Sequence, residues 1–307
     1  MNILLTLACN LDCEYCFARA RRSAMTRQEM TMAEVETVVS RLDPDRDMVR
    51  LMGGEPTLHD QYPRILKHLL DGGFAVTVFT NGILPTLRET APYLPEQILL
   101  NLNDWSSYSQ AQREGIIRNL AALGDRVGLG YTVLNPDFDL GQHRRLILDY
   151  GLRPVIRIGL AQPVVGGANC YLPDADLDLA HRAVVRWARR LAADRIRLNF
   201  DCGFMRCKFS NADLGNLIRS RTALRFTCGP AVDVGPGLRV WRCMAFSAEP
   251  GLTWQEYLEG EQSGGAFPRR DELDWDNCRN CGQRTSGACA GGCLARSVVA
   301  EEAPQSG

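Results

Sequence analysis

Three cysteines crowd the start of the chain, in Cys9-Asn10-Leu11-Asp12-Cys13-Glu14-Tyr15-Cys16, a C-x3-C-x2-C spacing. The apolar run Ile3-Leu4-Leu5-Thr6-Leu7-Ala8 just before them has the length and composition of a buried strand. The thiols therefore fall on a loop at that strand's carboxyl end, where open parallel α/β sheets and α/β barrels place their chemistry. Three clustered thiolates are one short of a closed tetrahedral site. They suit a cubane iron–sulfur cluster held through three irons, with the fourth open to a substrate. The competing reading is a zinc site with a distant fourth ligand.

A second set of thiols lies near the other end. Cys228 and Cys243 are followed by Cys278-x2-Cys281, Cys289 and Cys293, and Cys202 and Cys207 stand upstream of them. In all, twelve cysteines occur, a high count for a chain whose first residues carry no signal peptide. Tight spacings without a secretion signal favour metal ligation over a disulfide framework. A zinc ribbon on Cys278, Cys281, Cys289 and Cys293 is the alternative to iron–sulfur ligation. Cys170 has no thiol nearby in sequence and reads as a small buried residue. His59 reads as a helix-start residue. The run Arg19, Arg21, Arg22 and Arg27 reads as a solvated face, with docking of an acidic peptide as the other possibility.

These side chains must be positioned by regular elements, and the first half alternates strands with helices. Strand-like runs are Ile3–Ala8, Met48–Met52, Phe74–Thr80, Gln97–Leu102, Val127–Leu134 and Pro154–Leu160. Helical patterns at Thr31–Leu42, Tyr62–Leu70, Ser109–Leu123 and Leu140–Tyr150 fall between them, with glycines where helices should stop. Six β–α units predict an α/β fold, a parallel sheet curled into a partial (β/α)6 barrel. A further helix, Leu177–Ala193, leads to a last strand, Arg195–Phe200. The texture then changes to dense cysteine and glycine, with a possible hairpin over Ala231–Trp241. The expected organisation is a catalytic core at 1–200, a small metal-held domain at 201–300 and a polar tail at 301–307. The formal net charge of −1 gives no reason to expect nucleic acid as a partner, and no apolar stretch is long enough to span a bilayer. A cytoplasmic location follows as the expectation.

The cysteine loop resembles that of the radical S-adenosylmethionine (SAM) superfamily, and two further motifs extend the resemblance. Gly53-Gly54-Glu55-Pro56 closes the second strand, as the family's SAM-binding GGEP motif does, and Thr80-Asn81-Gly82 closes the third. The resemblance implies that Cys9, Cys13 and Cys16 ligate a [4Fe–4S] cluster. SAM then takes the fourth iron and is reductively cleaved to a 5′-deoxyadenosyl radical, which abstracts hydrogen from a substrate. Tyr15 would pack near the adenine. Backbone groups of Gly53, Gly54, Glu55 and Pro56 would meet the methionyl amino group, the glycines allowing close approach. Asn81, Asn103 and Asn135, at the ends of the third, fourth and fifth strands, and Arg157, within the sixth, are candidate SAM contacts.

The C-terminal cysteines resemble the SPASM domain, which binds auxiliary [4Fe–4S] clusters in many peptide-modifying relatives. By that resemblance Cys228, Cys243 and Cys293 ligate one auxiliary cluster, and Cys278, Cys281 and Cys289 a second. The pattern departs from the family's usual one in three places. Gly237 precedes Cys243 by one residue more, the Cys281–Cys289 gap is longer, and no cysteine follows Cys293. Cys202 and Cys207 are the replacements. Cys207, the nearer thiol to Cys228, is expected at the first auxiliary cluster, and Cys202 at the second.

The expected activity is modification of a ribosomally made peptide, by crosslinking, epimerisation or related C–H functionalisation. The alternative is a small-molecule dehydrogenase or epimerase acting on a sugar, alcohol or amino acid. Met244 beside Cys243, where sulfatase-maturing relatives carry aspartate, argues against that activity. Because the first strand begins at Asn2, leader recognition is expected from a separate protein. An electron donor such as flavodoxin or ferredoxin is also implied.

Overall fold

A computed structural model describes residues 1–307 except 26–27, 91–92, 94–96, 230–231, 264, 268–277, 279 and 303–307. The strands β1 (Asn2–Thr6), β2 (Met48–Gly53), β3 (Ala75–Thr80), β4 (Gln97–Asn101), β5 (Val127–Val133), β6 (Val155–Leu160) and β7 (Arg197–Phe200) pair parallel in chain order. They are connected through α1 (Ala18–Ala24), α2 (Met32–Val39), α3 (Tyr62–Asp71), α4 (Thr86–Glu89), α5 (Gln110–Leu123), α6 (Gly141–Tyr150) and α7 (Leu177–Ala192). The strand bounds fall within two residues of those expected from the apolar runs. Helix α2 is shorter than its pattern at both ends: it stops at Val39 with Ser40 as its C-cap, and Thr31 is its N-cap, its hydroxyl and the Glu34 side chain forming a reciprocal capping box. Ser109 does the same for α5 through Gln112.

The sheet does not end at β1. The segment expected as a hairpin forms β8 (Asp233–Gly235) and β9 (Arg239–Trp241), turning at Pro236–Leu238 with Gly237 at φ +72°. Ala231 itself lies outside the described residues. Strand β8 pairs parallel with β1, and β10 (Leu252–Thr253) pairs antiparallel with β9, so the linear order is β10-β9-β8-β1-β2-β3-β4-β5-β6-β7. The reason lies in β1, whose Ile3, Leu4 and Leu5 are fully buried, so both of its faces are covered. Such a strand leaves a costly edge unless another covers it. The hairpin supplies that cover and adds Val234 and Val240 to the core built by Ile3, Leu5, Val35, Leu51 and Leu66.

A larger core fills the space between β4–β7 and helices α5–α7, extended by α8 (Asn211–Arg219). Beyond it lie α9 (Trp254–Gln262), α10 (Gly282–Thr285) and α11 (Leu294–Glu302). Helix α11 is anchored by Arg296, whose guanidinium donates to Gln162, Asp174 and the carbonyls of Ala161 and Leu172. No helix among the described residues is long and apolar enough to cross a membrane.

Candidate active site

The three N-terminal thiols sit on the loop leaving β1 and are close enough for their charges to couple. Burial pushes all three thiols up, and in each case the nearby Arg22 guanidinium pulls partly back. Arg22 is fixed on the loop by Asp12 at 3.0 Å and by the Leu11 carbonyl, and Arg19 also pairs with Asp12 at 3.0 Å. The loop closes on itself through the Cys16 N–H donating to the Cys13 carbonyl at 3.1 Å. Its outer side is braced by the segment after β6: the Cys170 N–H donates to the Glu14 carbonyl and Asn169 donates to that of Tyr15. Tyr15 lies beside Cys13 and Tyr108, its phenol pushed up chiefly by burial.

The other strand ends mostly build this loop rather than stand free. Gly54 N–H donates to the Thr6 carbonyl at 2.7 Å and Glu55 N–H to that of Ala8 at 2.8 Å. A Cβ on Gly53 would lie 2.1 Å from the Thr6 oxygen, and one on Gly54 would lie 2.2 Å from the Ala8 oxygen. The close approach that requires glycine here is therefore to the strand carrying the cysteines. Whether these backbone groups also face a methionyl amino group is a separate matter from this packing, which by itself accounts for both glycines. Pro56 is buried in a 3₁₀ turn, Pro56–Leu58.

Glu55 is 1% exposed and points inward. One carboxylate oxygen accepts from the Thr57 N–H (3.2 Å), the Thr57 hydroxyl (2.6 Å) and the Thr80 hydroxyl (2.7 Å). The other accepts from the Asn81 N–H at 2.7 Å. Burial raises its carboxyl above the usual range while these bonds pull it down. The Asn81 amide in turn donates to Asn10 at 2.6 Å and reaches the Cys9 sulfur at 4.0 Å. The ends of β2 and β3 are thus clamped together beneath the cysteine loop.

Asn103 pairs with both backbone groups of Thr132, at 2.6 and 3.2 Å, extending the β4–β5 ladder. Asn135 is exposed and accepts from the Asp137 N–H, a local turn. Arg157 pairs with Asp201 at 2.7 Å and lies 5.0 Å from the Phe79 ring centroid. Each of these three candidate contacts therefore already has a partner within the protein.

The remaining site cysteines fall into two groups of four. Cys202 is within electrostatic reach of Cys293 and Cys243, and Cys243 is within reach of Cys228. Cys207 couples to Cys289 and Cys281, and Cys278 couples to Cys207, Cys281 and Cys289. Backbone contacts agree: the Arg206 N–H donates to the Cys289 sulfur at 3.5 Å. Cys202 thus lies with the group of Cys243 and Cys293, and Cys207 with that of Cys289, the other way round from their order along the chain. The cause is the intervening Gly203-Phe204-Met205, which turns at Gly203 (φ +100°) and buries Phe204 and Met205, stacking Phe204 on Phe200 at 4.0 Å. The two thiols emerge on either side of that anchor. Among the described residues no three cysteine, histidine or carboxylate groups converge on a single metal ion.

The radical SAM superfamily profile matches residues 3–158, half of the chain. The chain belongs to the radical SAM superfamily. It is 30% identical over 86 residues to an S-adenosylmethionine-dependent nucleotide dehydratase of Selenomonas ruminantium, covering 27% of this chain and 30% of that protein. It is 27% identical over 183 residues to a GTP 3′,8-cyclase of Alkaliphilus oremlandii, covering 55% and 48%. The chain thus spans less than half the length of these curated relatives. Solved structures match further: Streptococcus suis SuiB bound to its precursor peptide SuiA (TM-score 0.68, 15% identity, 99% of this chain and 73% of that one). Hexahistidine-tagged anSMEcpe with bound AdoMet gives 0.56, 15%, 95% and 88%. At these identities the likeness is one of fold, the partial barrel with its cysteine-rich C-terminal region.

Membership in the radical SAM superfamily implies a [4Fe–4S] cluster and SAM. The donor set fits: three coupled thiols on one loop. Sequence reasoning missed Tyr108, buried and coupled to Cys13 and Cys9, and Asn10, the partner of Asn81. Nothing in the pattern of Trp105-Ser106-Ser107-Tyr108 marks the tyrosine; only the packing of the loop after β4 brings it in. It also misread Arg21, which is fully buried with its guanidinium carbon 3.7 Å from the Trp241 ring centroid. Arg27 lies outside the described residues. Cys170, expected buried, is exposed, because it lies on the loop that braces the cysteine loop from outside. His59 is buried, its ring bonded to the Met30 carbonyl and the Gln61 N–H just before α3.

Proposed function

We propose that this radical SAM protein reductively cleaves SAM at the Cys9, Cys13 and Cys16 site and modifies a ribosomally made peptide. The observation that carries the peptide reading is the fold match to SuiB, which extends over 99% of the chain, well beyond the family's core, and which was solved with a precursor peptide bound. Two groups of four cysteines, Cys202, Cys228, Cys243, Cys293 and Cys207, Cys278, Cys281, Cys289, support two auxiliary [4Fe–4S] clusters in a SPASM-type region. The division into a core at 1–200, an auxiliary region at 201–300 and a tail at 301–307 belongs to the same reading.

When bound, the catalytic cluster supplies the electron that breaks the carbon–sulfur bond of SAM. The chain's own residues hold the site. Glu55 clamps the β2 and β3 ends, Asn81 braces Cys9 through Asn10, and Arg22 offsets thiolate charge. Half-buried Tyr15 and buried Tyr108 wall the cysteine loop with aromatic rings. Arg157, within β6, and Asp201, just past the end of β7, present a charged pair that a polar substrate group would meet.

A separate leader-binding protein and a flavodoxin or ferredoxin as electron donor complete the proposal. A small-molecule substrate is the second reading, favoured by the nucleotide-directed names of the sequence relatives. Anaerobic incubation with SAM, reductant and short peptides encoded beside the gene, followed by mass spectrometry, decides. A mass change on a peptide supports the first reading. Turnover of a nucleotide, sugar, alcohol or amino acid with every peptide unchanged supports the second.

A further inference from the structure

Arg21 is the largest fully buried side chain of the protein's described residues, with 0% exposure. It leaves the catalytic cysteine loop on α1, and its guanidinium carbon lies 3.7 Å from the ring centroid of Trp241, two residues before Cys243. None of its three nitrogens has a hydrogen-bond partner among the described residues. Burying a cation with five N–H donors and satisfying none is among the costliest arrangements a protein can make. The aromatic face offsets only part of that cost.

Two groups able to carry negative charge are within electrostatic reach. One is Asp233 in β8, which spends one oxygen on Asn2 at 2.6 Å and leaves the other bare, forming no hydrogen bond with Arg21. The other is Cys243 itself. The Ser247 hydroxyl donates to the Phe17 carbonyl at 2.8 Å, so the stretch around Cys243 is docked directly on the start of α1. The orphaned donors therefore sit where the Cys202, Cys228, Cys243 and Cys293 group would gather negative charge.

We propose that Arg21 is the buried counter-charge of the auxiliary cluster at Cys243, donating N–H bonds to its sulfurs and setting its reduction potential. This rests on the reading that Cys243 is a cluster ligand. The physical reason is general. A cubane with four thiolates is an anion in either redox state, reduction adds a further negative charge, and hydrogen bonds to its sulfurs favour the reduced form. Arg21 would couple the two ends of the chain: the helix that follows the catalytic cysteines would tune the cluster held by the last ones. It is a positioning and tuning residue rather than a catalytic one.

The test uses whole protein with its clusters, in a Cys13→Ala background that silences the catalytic site. Protein labelled with 15N at the arginine guanidinium is reduced and examined by pulsed EPR. A weak 15N coupling to an auxiliary cluster that disappears in Arg21→Lys supports the proposal. No coupling, or one that survives in Arg21→Lys, overturns it. Arg21→Met, where it retains the cluster, should shift that cluster's potential to more negative values while the second auxiliary signal stays in place; an unmoved potential also overturns it. Iron content of Cys243→Ala separates the underlying reading. If that variant keeps all the parent's iron, Cys243 is not a ligand and the underlying reading fails, taking the proposal with it; if iron is lost but the arginine tests fail, the proposal alone falls.

Discussion

Replacing Glu55 by glutamine changes one acceptor oxygen into a donor with almost no change of volume. The native carboxylate accepts four bonds in a site 1% exposed. If the amide oxygen takes the place of the oxygen serving Thr57 and Thr80, the amide nitrogen faces the Asn81 N–H at 2.7 Å. If the amide is flipped, both hydroxyls can turn to accept, but the nitrogen then faces the Thr57 N–H at 3.2 Å. Thr80 Oγ1 would also have to accept a second bond beside the one from Gly82. Either orientation orphans one buried backbone N–H, at a cost of about 1–3 kcal/mol, and weakens charge-assisted bonds that are individually worth more than neutral ones. Relief of burying a charge works the other way, since burial already raises this carboxyl. The balance favours a net loss of about 2 kcal/mol, or a melting-temperature drop of roughly 3 °C for a chain of this length. Melting of equally cluster-loaded parent and E55Q proteins at neutral pH measures it. A variant as stable as the parent, or more so, would refute the clamp and show that desolvation dominates.

Burial of His143 lowers its pKa to about 4, against the ordinary 6.5. The folded state then binds fewer protons than the unfolded one between those values, so stability is full above about pH 6.5 and is lost as pH falls towards 4. The loss amounts to roughly 3 kcal/mol. Urea unfolding of parent and His143→Gln across pH 4–7 should show a shallower acid decline in the variant; parallel curves would exclude this assignment. Cys202→Ala should deplete the cluster of Cys228, Cys243 and Cys293, and Cys207→Ala that of Cys278, Cys281 and Cys289. In iron counts, Cys202→Ala with Cys293→Ala should lose no more than either alone, whereas Cys207→Ala with Cys293→Ala should lose both. The opposite pairing would restore the order expected from sequence proximity.

The strands were legible because each is a short β-branched or aliphatic run ended by glycine, asparagine or a cap, and every such run formed within two residues of its expected bounds. The cysteine loop was legible because all its chemistry lies within eight consecutive residues. What depended on distant packing was not. Nothing local to Gly53 and Gly54 says that they pack on the backbone of Thr6 and Ala8; only the register of β2 against β1 shows it. Arg21 is one of several arginines in a basic run, and nothing local says that the β8–β9 hairpin covers its face. Sequence distance placed Cys207 with Cys228, but the buried Phe204 and Met205 reverse the chain between Cys202 and Cys207. Asn103 and Asn135 sit at the expected strand ends, yet their amides serve the backbone.

The most direct test of the account is formation of 5′-deoxyadenosine by anaerobically reconstituted protein given SAM and a strong reductant, with Cys13→Ala run beside it. The parent should produce 5′-deoxyadenosine, and the variant should produce none while retaining the iron of its auxiliary groups, because the open site exists only on the loop of Cys9, Cys13 and Cys16. Production at equal rates by both, or by neither when the parent's clusters are fully loaded, would contradict it.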